Sequence, residues 1–352
     1  MSLIRYEKRI EDVRKRAGSG SAGERVQAIR EIGDKRLAPL RGLLVETLRS
    51  DAPARLHTEA AISMERAFPY EAKKALKKSL RPLCFEKPLM KTVLRNLDDN
   101  TWLGTSEDRV RKAVRERMRF LREMYEKFHR FAAEIGWDAA VANRYANVVV
   151  PLLDISERAG YTAYGHCIRS LKYAEIIVSE RELAGERRTR TLLAAFLHDI
   201  GKAGVENSVL RKGRHMDYET LLVREHPEHG EHIVRCIFRA LGKNEKKGVE
   251  EMIADVALTH HVHVSGEGYP HGIAGLSEAA RITALCDTFD AITAYRAYVR
   301  KSGTFEDALE RIGVDLGSQF NAGIGKSFLE ALKKPGNMDR VFEIIREGAG
   351  NP

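Results

Sequence analysis

At 352 residues the chain exceeds the size at which one hydrophobic core usually keeps growing, so two domains are expected. Its composition is 43% hydrophobic and 31% charged with only 7% aromatics, and the apolar share rests on Leu, Ala, Ile and Val, which favours an all-α protein over a β-sandwich. The formal charge of +9 suits an anionic partner such as a phosphorylated small molecule, but no aromatic-interleaved basic stripe marks a nucleic-acid polymer as that partner. Cys84, Cys167, Cys236 and Cys286 lie far apart with no CxxC pair and read as reduced thiols. The first residues lack the apolar stretch of a signal peptide, and no run reaches membrane-spanning length. These features predict a cytoplasmic protein that is not attached to a membrane.

Residues 1–17 read as a short charged helix, broken at Gly18-Ser19-Gly20-Ser21. Val26, Ile29, Leu37, Leu40, Leu43, Leu44 and Leu48 then recur at helical spacing, with a turn at Asp34 and an early helical proline at Pro39. A second unit begins near Pro53. Its Arg55-Leu56-His57-Thr58-Glu59-Ala60-Ala61 echoes Arg25-Val26-Gln27-Ala28-Ile29 one helical hairpin later. That offset resembles HEAT-type repeats, whose helix pairs share a core; an irregular helical bundle is the competing reading. From Ser106, a candidate N-cap, to Ile135 runs a longer helix with an apolar seam at Val110, Val114, Leu121, Phe128 and Ile135. Such a seam packs onto its own domain by default, and the alternative is a partner helix from another protein or from a second copy in a homodimer. The domain boundary is placed near residues 137–148, giving a helical N-terminal regulatory or interaction domain over 1–145 and a second domain over 146–352.

Histidines appear at structured intervals in this second part. In Phe196-Leu197-His198-Asp199-Ile200-Gly201-Lys202 a buried helix delivers a histidine and an aspartate at its end. Adjacent helical side chains diverge by roughly 100°, so the pair cannot chelate one ion alone, but it can enter a cavity shared with other helices. Gly201 is expected to let the backbone leave the helix. His166 opens an apolar helix, His226 precedes Pro227, and His260-His261 follows an apolar run. Asp287 is a solitary carboxylate in the apolar Ile282-Thr283-Ala284-Leu285-Cys286-Asp287, where burial demands a cationic partner. Five histidines and two aspartates suit two divalent cations, with Asp199 able to bridge them. Mixed imidazole and carboxylate donors point to iron or manganese, with zinc, magnesium or nickel as alternatives, and away from a thiolate site. His57, His129, His215, His229, His232, His263 and His271 read as structural or loop residues.

These residues sit in an ordered series of blocks. They are His198-Asp199-Ile200-Gly201-Lys202, then Leu210-Arg211-Lys212-Gly213 leading through Glu219 to His226-Pro227, His260-His261, Gly268-Tyr269-Pro270, Ala280-Arg281-Ile282, and Asp287 to Ala291 with Arg296-Ala297-Tyr298. From about residue 150 to 330 the chain resembles the HD-GYP family of HD phosphohydrolases, known for degrading cyclic di-GMP. The resemblance implies an HD-type helical bundle with a two-metal centre held by His166, His198, Asp199, His226, His260, His261 and Asp287. It implies that Lys202 sits beside the scissile phosphate and acts in catalysis with Asp199, that Gly268 and Tyr269 flank the substrate, and that Arg296 contacts a phosphate. The expected reaction is hydrolysis of cyclic di-GMP to linear pGpG and/or GMP. Val262 and Ser265 stand where the family usually has a glutamate and an aspartate, and Thr162 where some members carry a third-metal ligand. Those departures keep open a different nucleotide or phosphoester as substrate. A non-catalytic cyclic-dinucleotide receptor signalling through its N-terminal helices is the third reading.

Overall fold

Helix formers dominate the sequence from end to end, and helices fill the structure. The computed structural model describes residues 3–83, 85–100, 106–159, 165–212, 215–241, 248–294 and 303–348. The N-terminal half holds α1 (Leu3–Ser19), α2 (Ala22–Asp34), α3 (Arg41–Arg49), α4 (Ala54–Ala67), α5 (Pro69–Leu80), α6 (Lys87–Asp98), α7 (Glu107–Glu134) and α8 (Ala139–Ala159). The C-terminal half holds α9 (His166–Glu180), α10 (Gly185–Leu197), α11 (Asn207–Leu210), α12 (Asp217–Arg224), α13 (His226–Leu241), α14 (Val249–Thr259), α15 (Glu278–Thr293), α16 (Phe305–Val314), α17 (Ala322–Lys333) and α18 (Pro335–Gly348). Among the described residues strand pairing is confined to two isolated bridges, so the protein is all-α. None of the helices is long and apolar enough to cross a membrane. The described cysteines, Cys167, Cys236 and Cys286, are free and buried.

The chain divides into two units. One takes in residues 1–83 and 103–151, the other 84–102 and 152–352. Most of the stretch 137–148, where the sequence suggests a boundary, lies in the first half of α8, and the division falls between residues 151 and 152 of that helix. Helix α6 groups with the C-terminal unit for a specific reason. Asn96 donates through its amide to the carbonyls of Ala203 (2.9 Å) and Val205 (2.7 Å), and its side-chain oxygen accepts from the Asn207 N–H. A buried amide satisfied by three backbone groups fixes the helix in place.

In the first unit the break before α2 is a capping box, in which Ser21 and Glu24 satisfy each other's backbone N–H groups. The residues that echo one another become facing surfaces. Val26, Ala28 and Ile29 on α2 and Leu56 and Ala60 on α4 are buried in one cluster, with Leu37, Leu40 and Leu44. Ser106 caps α7 by accepting from the Arg109 N–H. The α7 seam turns inward: Leu121, Phe128 and Ile135 are buried, and α7 packs on α4 within the unit. Glu59, 2% exposed, is gripped by Arg30 (3.0 Å) and Arg122 (2.8 Å). Burial opposes its ionisation, but the two guanidinium groups prevail and hold its pKa below the usual carboxylate range.

His57 on α4 and His129 on α7 form a second buried polar contact, with Nδ1 and Nε2 3.1 Å apart. Burial pushes His57 down to about 3, helped by the nearby His129, and burial pushes His129 down to about 4. The folded pair therefore refuses protons that the unfolded chain accepts below the ordinary imidazole value of about 6.5. Its stability contribution is present above that pH and is lost as pH falls toward 4. Urea unfolding should show the chain losing about 2–4 kcal/mol more between pH 7 and pH 4.5 than a His57→Gln, His129→Gln double variant. Equal acid sensitivity in the two proteins would refute the linkage.

Candidate metal centre

Five elements of the second unit deliver the candidate ligands, nearly all from helix ends. His166 is the first residue of α9, where the Glu157 carboxylate accepts from the backbone N–H groups of Gly165 (2.7 Å), His166 (2.8 Å) and Cys167 (2.8 Å). An acidic cap at a helix N-terminus satisfies donors that no helical carbonyl can reach. His198 follows the end of α10, and Asp199 leads into a 3₁₀ turn, Ile200–Gly204. His226 starts α13, His260 and His261 follow α14, and Asp287 lies within α15.

Gly201 plays a different part from the one its position suggests. Its φ is not positive; instead a Cβ there would run into the His226 carbonyl and the Gly230 backbone. The glycine lets the 3₁₀ turn press against the start of α13, which brings Asp199 to His226. Gly201→Ala should displace His226, reduce bound metal and cost about 1–3 kcal/mol of stability. Unchanged metal content and Tm would disprove this close approach.

The seven side chains ring one hollow in two groups. His166 Nε2 lies 3.1 Å from Asp287 Oδ1 and 3.4 Å from Asp199 Oδ2, while His198 Nε2 is 3.5 Å from Asp199 Oδ2. On the other side, His226 Nε2 and His260 Nε2 lie 3.3 and 3.7 Å from Asp199 Oδ1. His261 groups with them, its ring 4.2 Å from that of His260. Asp199 thus turns one oxygen to each group.

The hydrogen bonds behind the rings identify what the front atoms are. Nδ1 of His198 meets the Ala195 carbonyl (2.8 Å), that of His226 the Val223 carbonyl (2.8 Å), and that of His260 the Val256 and Ala257 carbonyls (both 3.0 Å). A carbonyl can only accept, so each Nδ1 carries the proton and each Nε2 presents a lone pair in the neutral ring. His226 and His260 then point two lone pairs at each other across 3.3 Å, an arrangement that calls for a cation between or beside them. Nε2 of His166, Nε2 of His198 and Oδ1 of Asp199 are buried without a hydrogen-bond partner among the described residues. These orphaned donors fit divalent cations.

Electrostatics agrees. Burial pushes His198 below its ordinary value, His260 well below, and His261 down to about 3, so these rings stay neutral and ready to ligate. Burial acts the same way on His166, yet Asp199, Asp287 and Asp290 overcome it and hold that imidazole raised. Asp199 and Asp287 are ionised against the burial penalty, Asp199 chiefly through Lys202 and His198, Asp287 chiefly through His166. Lys202 Nζ pairs directly with Asp199 Oδ2.

Three supporting residues escaped the sequence reading. Asp290 Oδ2 faces His166 Nδ1 at 2.7 Å, and Arg169 grips the same carboxylate through Nε (2.8 Å) and Nη2 (3.0 Å). Asp290 and Arg169 are each 1% exposed. Glu157 is the third. His166/Arg169 and Asp287/Asp290 are both i,i+3 pairs on facing helices, a spacing that could have flagged them.

Tyr269 stacks on His261 (centroids 4.6 Å apart, 26° between planes) beneath the Arg224 guanidinium at 5.3 Å. Gly268 makes this possible: its φ is +85°, and a Cβ would strike the His261 carbonyl, which accepts from the Tyr269 N–H (3.2 Å). Arg296 and Thr162 lie outside the described residues. Of the histidines set aside, His57 and His129 belong to the other unit, and His229 is packed beside Gly204. From His261 and Asp287 a groove of about 540 Å³ runs past Thr288 and Ile292 to Arg311 and Gln319.

An all-α unit with a candidate two-metal centre of imidazoles and carboxylates is the class that this fold and site define. Residues 147–320 match the HD domain family. A cyclic di-GMP phosphodiesterase of Pseudomonas aeruginosa is 31% identical over 192 residues, 54% of this chain and 44% of the relative. A 3′3′-cGAMP-specific phosphodiesterase of Vibrio cholerae is 32% identical over 187 residues, 52% of this chain and 37% of the relative. A cyclic di-GMP phosphodiesterase response regulator of Xanthomonas campestris is 32% identical over 149 residues, 41% of this chain and 37% of the relative. The matched region is less than half of each relative's own length.

Proposed function

We propose that the chain is a metal-dependent phosphodiesterase that hydrolyses cyclic di-GMP to linear pGpG and/or GMP. The observation that carries this reading is the set of inward lone pairs on His198, His226 and His260, together with the partnerless Nε2 of His166, around the two oxygens of Asp199. In this reading His166, His198 and Asp287 would hold one cation and His226, His260 and His261 the other, with Asp199 facing both groups. Iron or manganese suits the donor set best, with zinc, magnesium or nickel as alternatives. Two such cations, when bound, supply Lewis acidity that acidifies water and neutralises charge on a phosphodiester.

The chain's own groups do the rest. Lys202, half-buried and paired with Asp199, places an ammonium where negative charge grows on the phosphate or leaving oxygen. Gly268 and Tyr269 shape one wall of the entrance, and Arg296 would contact a phosphate, a role for which its fork of donors is suited. The groove beyond His261 gives the rest of a dinucleotide a place to lie.

The test is incubation of protein prepared without oxygen, its metal content verified, with cyclic di-GMP and manganese or ferrous iron. Linear pGpG or GMP should accumulate; an untouched dinucleotide beside a filled two-metal site would overturn the proposal. A second substrate, 3′3′-cGAMP or another phosphoester, is favoured by Val262 and Ser265 and by the relatives specific for 3′3′-cGAMP. Its faster turnover in the same assay would decide for it.

A further inference from the structure

The first unit contains a cavity of about 350 Å³ enclosed by α3, α4, α5, α7 and α8. Its wall is largely apolar, with Val45 and Leu48 from α3, Met64 from α4 and Leu76 from α5, and Ser79, Tyr125 and Asn147 are polar members of it. The volume falls in the range of small-molecule sites. It opens toward solvent where Arg49, Ala75 and Lys78 are exposed.

The charges at that opening are unbalanced. Glu65 lines the cavity too, but its carboxylate is held by Arg117 at 2.9 Å. Arg49 and Lys78 have no ion-pair partner among the described residues, although neighbouring arginines and lysines of the unit are widely paired. A largely apolar interior below two unpaired cations is complementary to a molecule with a hydrocarbon body and one anionic end. The inner wall adds one further polar feature. Pro151, inside α8, has no N–H for the Asn147 carbonyl four residues back, and both residues line the cavity.

We propose that this cavity is a binding site for an amphiphilic monoanion of the aliphatic carboxylate class, its chain lying among Val45, Leu48, Met64 and Leu76 and its carboxylate meeting Arg49 and Lys78. The site is separate from the metal centre, and its occupancy does not depend on the phosphodiesterase reading.

Calorimetric titration of the full chain with decanoate, below micelle-forming concentration, tests it. Saturable binding at one site per chain is expected, with the uncharged decanol about tenfold weaker. Ala75→Trp, which intrudes at the exposed rim, should weaken decanoate by at least about tenfold, and Arg49→Gln with Lys78→Gln by about tenfold. All variants should keep the wild-type Tm. Absence of saturable binding, equal affinity for decanoate and decanol, or undiminished affinity in a folded Ala75→Trp protein would each overturn the proposal. The comparison of the two ligands on the unaltered chain stands even where a variant folds poorly.

Discussion

Asp199→Asn is expected to lower phosphodiester hydrolysis by about 10³-fold or more and to cut bound metal from two ions per chain to one or fewer. The substitution preserves shape but removes the charge that faces both histidine groups, with Oδ2 toward His166 and Oδ1 toward His226. It also strips the half-buried Lys202 ammonium of its anionic partner. An asparagine offers one carbonyl oxygen and one amide that cannot ligate, so at most one side of the site keeps its donor. Initial rates, elemental analysis and far-ultraviolet dichroism on the same preparation separate lost chemistry from lost fold. Two firmly held ions together with turnover within about threefold of wild type would remove Asp199 from the centre.

Asp290→Asn is expected to act on the same centre from one layer further out, and on stability as well. Asp290 receives both His166 Nδ1 and the fully enclosed Arg169. Neutralising it leaves a buried guanidinium without its counter-charge, a loss of about 3–5 kcal/mol. It also withdraws the group that orients and polarises the His166 ring, worth roughly 10–100-fold in metal affinity. Metal titration distinguishes the two effects, since a purely architectural role would lower Tm and leave affinity in the folded fraction unchanged. Arg169→Gln, which removes the cation but keeps the carboxylate beside His166, should lower stability while sparing most of the metal affinity.

Much of the centre could be read from sequence because its ligands sit at helix ends beside recognisable neighbours: His198-Asp199 before Gly201, His226 before Pro227, and His260-His261 after an apolar run. Helical periodicity likewise marked the cores of α2, α4 and α7. The groups that hold the ligands were less visible. Glu157 caps α9 from the end of a different helix, and no local pattern announces a carboxylate that caps a helix beginning nine residues later. Gly201 was read as a backbone exit because glycine at a helix end usually supplies a left-handed residue; here its missing Cβ admits a neighbouring chain, a tertiary property. The same holds for α6, which lies early in the sequence but is drawn to the second unit by Asn96. Periodicity describes a helix's face and not which core claims it.

One consequence follows from the spacing of the ligands along the chain. Asp287 comes after His166, Asp199, His226 and the His260-His261 pair, yet it shares one hollow with the earliest of them. A nascent polypeptide emerging from the ribosome therefore cannot offer a complete cradle until α15 has been made and docked. Capture of the ions proposed here would be a late event in biogenesis, one that pins the first and last helices of the cradle together and marks the chain as mature.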